Sequence, residues 1–494
     1  MDSTGTRLDL LTRLAELARE CPERQAAVSV ECDTADDGLT YGHLAQATLH
    51  LAGRLRRELP AGGVVIVCGA NAPELFPAVL GVLAAGMTVF PTHPGVSEPE
   101  LRRAVAGSRA VAVIGDGRTL RVLADVGLLR IDLGSATDVP AGVSVPSWSD
   151  FDQMHSGLLL QSSGTTGRPK IVRRLAPALD AVAHAVVAAV GLRPDDRVLA
   201  AIPLCHAYGL ESAMLGPLVA GSCVLTCDGF PPAVISRAFA EGGVTVFPGV
   251  PFMFQVLAEL DIRRVSALRR TYSAGGPLPA GIAEAFTRRT GVRIGQLYGA
   301  SEIGSATFND PDEDGFLQSS VGRPMRGVEI RVVQGDDPAR PVPVGDEGQV
   351  AVRAASMLNE YADDDTPALT NGFFLTGDLG RLDDRGRLSI TGRVKLQIDV
   401  GGLKVNPLEV EFVLCQFPGV RECAVVPMRV AETVNRLRAL VVPDRGQSGF
   451  NVAALRRFAR SRLAAYKVPR LIEICDSLPR SPTGKIQRHA LAET

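Results

Sequence analysis

Lysine is scarce. Of 52 basic residues in the 494-residue chain, five are lysine (Lys170, Lys395, Lys404, Lys467 and Lys485) and the other 47 arginine. GC-rich coding explains the arginines. It leaves the lysines as positions where a compact, flexible ammonium serves and a planar guanidinium does not. No apolar run reaches the ~18 residues of a membrane helix, which excludes a membrane span. The opening residues include Asp2, Arg7, Asp9 and Arg13 and hold no apolar signal core, so a cytoplasmic protein is expected. A net charge of −2 argues against nucleic acid or an anionic membrane as partner. The nine cysteines are scattered. Only Cys223 and Cys227 lie close, and no ligand follows them at zinc spacing, so reduced core thiols are expected.

The bulk of the chain reads as a soluble globular protein, 46% hydrophobic and 21% charged, long enough for two to four domains or subdomains. No internal repeat or low-complexity linker stands out. Residues 1–60 read as helices, because Leu8–Leu17 and Leu44–Leu55 repeat apolar positions at three and four. From Val64 on, short apolar runs alternate with helical stretches: Val64–Cys68, Val111–Ile114, Val198–Ile202, Cys223–Cys227, Val244–Phe247 and Val292–Leu297, with helices at Ala178–Val190, Leu210–Val219 and Ile282–Thr290. That alternation predicts an α/β fold whose large N-terminal body holds mainly parallel sheets covered by helices.

Near residue 320 the texture changes. Val328–Val333 and Gly348–Val352 read as antiparallel strands, and Arg387–Ile390 with Lys395–Val400 as a hairpin. A small α+β unit follows. Asn406-Pro407-Leu408-Glu409 starts a helix that runs to about Phe417. Strands are expected at Cys423–Pro427, Arg438–Val442 and Leu471–Cys475, and a helix at Val452–Ala465. The expected domains are 1–394, with a β-rich subdomain at about 320–394, and 395–494.

Four motifs carry chemistry. Ser162-Ser163-Gly164-Thr165-Thr166-Gly167-Arg168-Pro169-Lys170 directly follows the apolar strand Leu158–Leu160. Its glycines, hydroxyls and lysine suit a phosphate cradle, though the Walker A ending is absent. Gln296-Leu297-Tyr298-Gly299-Ala300-Ser301-Glu302 ends a strand with a carboxylate able to hold Mg²⁺. Upstream, Ser273-Ala274-Gly275-Gly276-Pro277 is another strand-end turn. Thr376-Gly377-Asp378 with Gly392-Arg393 suits ribose hydroxyls and phosphate oxygen. Pro479-Arg480-Ser481-Pro482-Thr483-Gly484-Lys485 is a loop with a lysine at its tip. Each alone is also compatible with an ordinary turn.

In this order and over this span the motifs resemble the adenylate-forming superfamily: acyl- and aryl-CoA synthetases, nonribosomal-peptide adenylation domains and beetle luciferases. The resemblance runs from about Leu39 to Lys485. It implies that ATP, Mg²⁺ and coenzyme A are used. Residues 162–170 would wrap the β- and γ-phosphates. Gly275, Gly276 and Pro277 would flank the adenine. Gln296, Tyr298, Gly299 and Ser301 would line AMP and the carboxylate, with Glu302 on Mg²⁺. Asp378, assisted by Arg393, would hold the ribose. Lys395 would be the hinge of a small mobile C-terminal lid, and Lys485 would bridge the α-phosphate and the substrate carboxylate. His206 would gate the acyl pocket against the pantetheine channel, and Gly401-Gly402 would let the pantetheine arm pass.

Some positions depart from the family pattern. Ile171 replaces a usual glycine, Arg173-Arg174 stand where Thr-His often follows, and Ser301 replaces a commoner threonine. Gly401 stands where luciferases carry a second lysine. Gly209 and Leu210 stand where amino-acid-activating domains place an aspartate, and Ala207 where dihydroxybenzoate-activating enzymes have asparagine. The expected activity is an acyl- or aryl-CoA ligase, since no fused carrier domain follows Lys485. The alternatives are a free-standing adenylation enzyme that loads a carrier protein, or a member specialised for one half-reaction. Pocket candidates Ala207, Tyr208, Phe247, Gly249, Val250, Met253 and Gly275 are mostly small or apolar. They predict an uncharged aromatic or medium-sized hydrophobic carboxylic acid. A monomer or homodimer is expected.

Overall fold

In the computed structural model of the chain, the described residues are 8–31, 38–153, 155–162, 170–241, 243–260, 265, 267–364, 368–396, 398–400, 403–431, 434–444, 450–480 and 486–492. They divide into two compact units: Met1–Ile330 with Val352–Phe374, and Arg331–Ala351 with Leu375–Thr494.

The first unit is built on two mixed sheets. The nine-stranded sheet runs, edge to edge, through Arg323–Pro324, Gly304–Asn309, Ile294–Ala300, Arg270–Ser273, Val246–Gly249, Arg197–Ala200, Cys223–Thr226, Gln25–Ser29 and Leu39–Thr40. Its six inner strands are parallel and its outer three antiparallel. The seven-stranded sheet runs Glu360–Tyr361, Ile171–Leu175, Gly157–Gln161, Thr88–Thr92, Val64–Cys68, Ala112–Gly115, Leu129–Asp132, with the last five parallel. One apolar core takes residues from both sheets and from the helices Tyr41–Glu58, Leu75–Ala84 and Ala176–Val190. Leu75–Ala84 is apolar all round and buried along its whole length, as a helix with no polar face must be.

The N-terminal segment is not all helical. Helices Asp9–Glu20 and Tyr41–Glu58 form as their periodicity predicts, but Gln25–Ser29 and Leu39–Thr40 are strands. Gln25–Ser29 pairs with Cys223–Thr226, almost 200 residues away, a partner that no local pattern announces. The stretch read as one helix from Leu210 is three pieces: a short helix Ala207–Leu210, a π-helical turn Glu211–Leu215 and a helix Gly216–Ala220. Pro217 lacks the amide that would continue an α-helical ladder.

The second unit holds most of a four-stranded antiparallel sheet, Val328–Val333, Gly348–Ala354, Phe374–Leu382 and Leu388–Arg393. The sequence grouped this sheet with the N-terminal body. Part of what ties it to the C-terminal residues is Asn406, whose amide donates to the Thr391 carbonyl while its oxygen caps the helix Pro407–Leu414. The hairpin expected from Arg387 to Val400 does not form. Leu388–Arg393 pairs with Phe374–Leu382, and Ile398–Val400 pairs with Leu403–Val405. A three-stranded sheet, Val420–Ala431, Val434–Pro443 and Leu471–Ile474, packs on helices Pro407–Leu414 and Val452–Arg460. Among the described residues no helix is long and apolar enough to cross a membrane.

Candidate active site

Four neighbouring strands of the nine-stranded sheet, Arg197–Ala200, Val246–Gly249, Arg270–Ser273 and Ile294–Ala300, are parallel. Their carboxyl ends therefore share one edge, the edge at which open α/β sheets bind ligands. His206, Ala207 and Tyr208 follow the first of them. Val250 and Met253 follow Gly249 at the end of the second. Gly275, Gly276 and Pro277 follow the third, and Tyr298 to Glu302 close the fourth. The Tyr208 hydroxyl lies 3.2 Å from the Gly249 carbonyl oxygen and 3.1 Å from that of Tyr272. Burial holds that phenol well above its ordinary pKa. The Ala274 amide donates to the Gly249 carbonyl at 3.2 Å. A Cβ on Gly209 would stand 2.2 Å from the Pro203 carbonyl oxygen, so this turn requires glycine. His206 caps the helix that carries Tyr208, its carbonyl accepting from the Leu210 amide at 2.9 Å.

Two predicted residues are turned to packing. Phe247 is wholly buried among Phe230, Phe239 and Phe254, with ring centroids 5.4–6.4 Å away. Gln296 is buried, and its amide nitrogen donates to the Gln318 and Ser320 carbonyls at 2.5 and 2.9 Å.

Two strands of the seven-stranded sheet, Gly157–Gln161 and Ile171–Leu175, flank the segment that the sequence reads as a phosphate cradle. Ser162 and Lys170 close it, the Ser162 amide donating to the Lys170 carbonyl at 2.8 Å and the Lys170 amide to the Ser162 hydroxyl at 3.3 Å. The Lys170 ammonium is 2.6 Å from the Asp364 carboxylate and 4.4 Å from the centre of the Tyr361 ring. The Tyr361 hydroxyl lies close to the Glu302 carboxylate; burial first, then the Glu302 and Asp364 charges, hold it above its ordinary pKa. Lys170 and Glu302, far apart in sequence, thus meet through Tyr361. Tyr361 and Asp364 went unread in the sequence, where Asn359–Asp364 looks like a plain polar loop.

The Glu302 turn has a second tie. Arg174 is fully buried and bonds Glu211, itself 1% exposed, at 2.6 Å. Its Nε and Nη2 donate to the Ser301 carbonyl at 2.9 and 2.6 Å, and Nη2 lies 3.3 Å from the Ala300 carbonyl. Glu211 also accepts from the Ser305 amide and hydroxyl at 2.8 and 2.6 Å.

In the second unit, Asp378 and Arg393 are cross-strand partners, and the guanidinium donates to the buried Asp378 carboxylate. Around the Lys485 loop, the Gln487 amide donates to the Pro479 carbonyl at 2.8 Å. Arg480 pairs with Glu422, and Arg488 with Glu411. Ser163, Gly164, Thr165, Thr166, Gly167, Gly401, Gly402 and Lys485 lie outside the described residues, as does the side chain of Lys395, which sits in the short turn Val394–Leu396.

Among the described residues no three His, Cys, Asp or Glu side chains converge as a metal cage. Mg²⁺ is usually held by one or two carboxylates together with substrate phosphates, and Glu302 fits that demand.

The chain matches the model of the AMP-binding enzyme family over residues 14–362, and that of the AMP-binding enzyme C-terminal domain over 409–485. It belongs to the AMP-binding enzymes. It is 31% identical to a feruloyl-CoA synthase of Amycolatopsis, over 94% of this chain and 96% of the relative. It is 30% identical to a p-hydroxybenzoic acid–AMP ligase of Mycobacterium tuberculosis, over 92% of this chain and 65% of the relative. Among solved structures it is similar to ATP-bound MatB from Rhodopseudomonas palustris, with TM-score 0.89, 27% identity and 99% of each chain covered. The chain therefore stands in the acyl- and aryl-CoA ligase branch of the adenylate-forming enzymes, as an AMP-forming, ATP-using ligase.

Proposed function

We propose that the enzyme activates an uncharged aromatic or medium-sized hydrophobic carboxylic acid as its acyl adenylate, then passes the acyl group to coenzyme A. The observation that carries this reading is the convergence of the Tyr208, Val250, Gly275 and Glu302 segments on one sheet edge, with Lys170 brought to Glu302. Among residues 201–211, 250–258 and 274–279, Glu211 is the only Asp, Glu, Lys or Arg, and it is buried against Arg174. These three segments therefore supply no Lys or Arg to meet a second carboxylate on the substrate. Two relatives carry aromatic acids in their names, which supports an aromatic substrate.

In the first step a carboxylate oxygen attacks the α-phosphorus, the bond to pyrophosphate breaks, and charge builds on phosphate oxygens. Lys170 faces the β- and γ-phosphates with residues 162–167, and Lys485 meets the α-phosphate and the carboxylate. Glu302 would hold Mg²⁺, which supplies charge neutralisation at the phosphates. Gly275, Gly276 and Pro277 flank the adenine, Ser301, Tyr298 and Gly299 line the AMP, and Asp378 with Arg393 takes the ribose hydroxyls. Catalysis is then mostly positioning and fixed charge. In the second step the thiol attacks the acyl carbon and AMP leaves, with Gly401-Gly402 and His206 beside the pantetheine arm. The residues from 395 onward turn about Lys395 between the steps, since a few backbone positions suffice for a hinge. A cytoplasmic location suits all three substrates.

A panel of acids incubated with ATP, Mg²⁺ and coenzyme A, read by mass spectrometry, tests the reading. Acyl-CoA from an aromatic or hydrophobic acid is the expected product. If acyl-AMP forms but never acyl-CoA, while a holo carrier protein is acylated, the acceptor is a carrier protein. The similarity to an acid–AMP ligase keeps that second reading in view.

A further inference from the structure

We infer that the buried Arg174–Glu211 pair is a positioning device that aims Ser301 and Glu302 at metal and phosphate. The inference rests on the reading of Glu302 as the Mg²⁺ carboxylate. Stability does not account for the pair. Two charges taken out of water cost about as much as their attraction returns, and apolar side chains of the same volume often pack as well. An apolar pair cannot hold several acceptors in fixed directions, whereas a planar fork can. Arg174 spends its donors that way, on Glu211 and on the Ser301 and Ala300 carbonyls.

The turn needs such ties. The ladder between Ile294–Ala300 and Gly304–Asn309 shifts register between Tyr298 and Gly299, so strand pairing alone does not fix Ser301 and Glu302 beyond the shift. Three consecutive carbonyls are held from outside the hairpin: Ser301 by Arg174, Glu302 by the Leu358 amide at 2.8 Å, and Ile303 by the Ser356 hydroxyl at 2.7 Å. Only Arg174 is anchored by charge. Its strand follows Lys170 directly, and its counter-ion opens the π-helical turn behind Tyr208. The pair therefore joins the phosphate-loop strand, the acyl-pocket helix and the metal turn at one point.

The test is Arg174→Lys, which keeps the charge and loses the fork. Residues that orient a metal ligand typically cost 10–100-fold in metal affinity or activity when changed. The Kd for Mn²⁺ in the presence of α,β-methylene-ATP, read by electron paramagnetic resonance, should rise at least ~10-fold, and pyrophosphate exchange should fall by a similar factor. Arg269→Lys is the control. That arginine pairs with buried Asp196 at the amino end of its strand, so its loss should lower the melting temperature and leave the Mn²⁺ Kd alone. Ser305→Ala removes one hydroxyl from Glu211 and keeps the amide bond; a rise of about 2–10-fold is expected, and it answers the question if Arg174→Lys does not fold. Glu302→Gln runs beside them. A raised Kd in Glu302→Gln with wild-type values in Arg174→Lys and Ser305→Ala overturns the positioning role alone. Wild-type Kd values in all three overturn the metal reading as well.

Discussion

Replacing Lys170 by methionine separates a structural from a chemical role, because the structure limits the structural part. The ion pair to Asp364 is 2.6 Å long, but its partners are 33% and 29% exposed. Partly exposed pairs of this kind are worth ~0.2–1 kcal/mol. The ammonium over Tyr361 adds about 0.5–1 kcal/mol at such a site, and methionine keeps the apolar stem. The stability cost should therefore stay below about 2 kcal/mol. Removing a preorganised charged donor from a developing anion costs about 10²–10³-fold in rate, or roughly 2.7–4 kcal/mol. ATP–pyrophosphate exchange at saturating acid should fall by that factor while thermal unfolding moves little, and coenzyme A should still convert supplied acyl-AMP to thioester. Asp364→Asn removes the competing carboxylate and should lower the KM for ATP. Wild-type exchange in Lys170→Met would refute the reasoning. So would a loss on supplied acyl-AMP equal to the loss in exchange, since the damage would then be general.

The remaining predictions concern other parts of the enzyme. Asp378→Asn leaves the cross-strand hydrogen bond possible but removes the charge that faces Arg393; the KM for ATP should rise about tenfold or more with kcat less affected, as steady-state kinetics would show. Burial pushes the Cys205 thiol up to about 12, whereas unfolded cysteine ionises near ~8.5. Its contribution to stability is therefore whole below about pH 8.5 and falls as pH rises toward 12. Native Cys205 should resist iodoacetamide at pH 8 while exposed Cys415 reacts, and peptide mass spectrometry showing Cys205 labelled in folded protein would count against this. Lys485→Ala should lose exchange by about 10²–10³-fold yet convert supplied acyl-AMP and coenzyme A to thioester near the wild-type rate; equal loss in both steps would assign the lysine elsewhere.

Much of the fold is legible because its inner strands are short unbroken apolar runs. Val64–Cys68 forms with the bounds its apolar run predicts, and the edge strand Val328–Val333, interrupted by Glu329 and Arg331, also forms with its expected bounds. Pairing is less legible. The alternation of Arg387–Val400 says that strands are present and nothing about partners, and the two halves of that stretch join different sheets. The same limit hid Gln25–Ser29, whose reason to be a strand is Cys223–Thr226. Where a residue is spent is equally hidden. Gln296 sits in a motif, and Phe247 near the pocket, but an amide carries no mark of the carbonyls it will reach, nor a ring of the three rings around it.

The scarcity of lysine illustrates both the strength and the weakness of composition as a signal. It singled out Lys170, and the structure sets that ammonium beside the Asp364 carboxylate and the Tyr361 ring. It does not distinguish Lys467, whose ammonium lies 2.7 Å from both Glu409 oxygens and ties the turn Ala465–Lys467 to the helix Pro407–Leu414. Arginine abundance misled in the opposite direction. Among 47 arginines, Arg174 reads as one more product of GC-rich coding, and its place beside the phosphate loop reads as a mere departure from a family pattern. A buried cation needs an anion and a full set of acceptors, and in this chain those come from Glu211, Ala300 and Ser301, 37 to 127 residues further on. Two of those acceptors are backbone carbonyls, which every residue possesses. This second tie of the Glu302 turn, to the strand after Lys170, therefore has no sequence signature beyond Arg174 and Glu211 themselves, and only the fold pairs them.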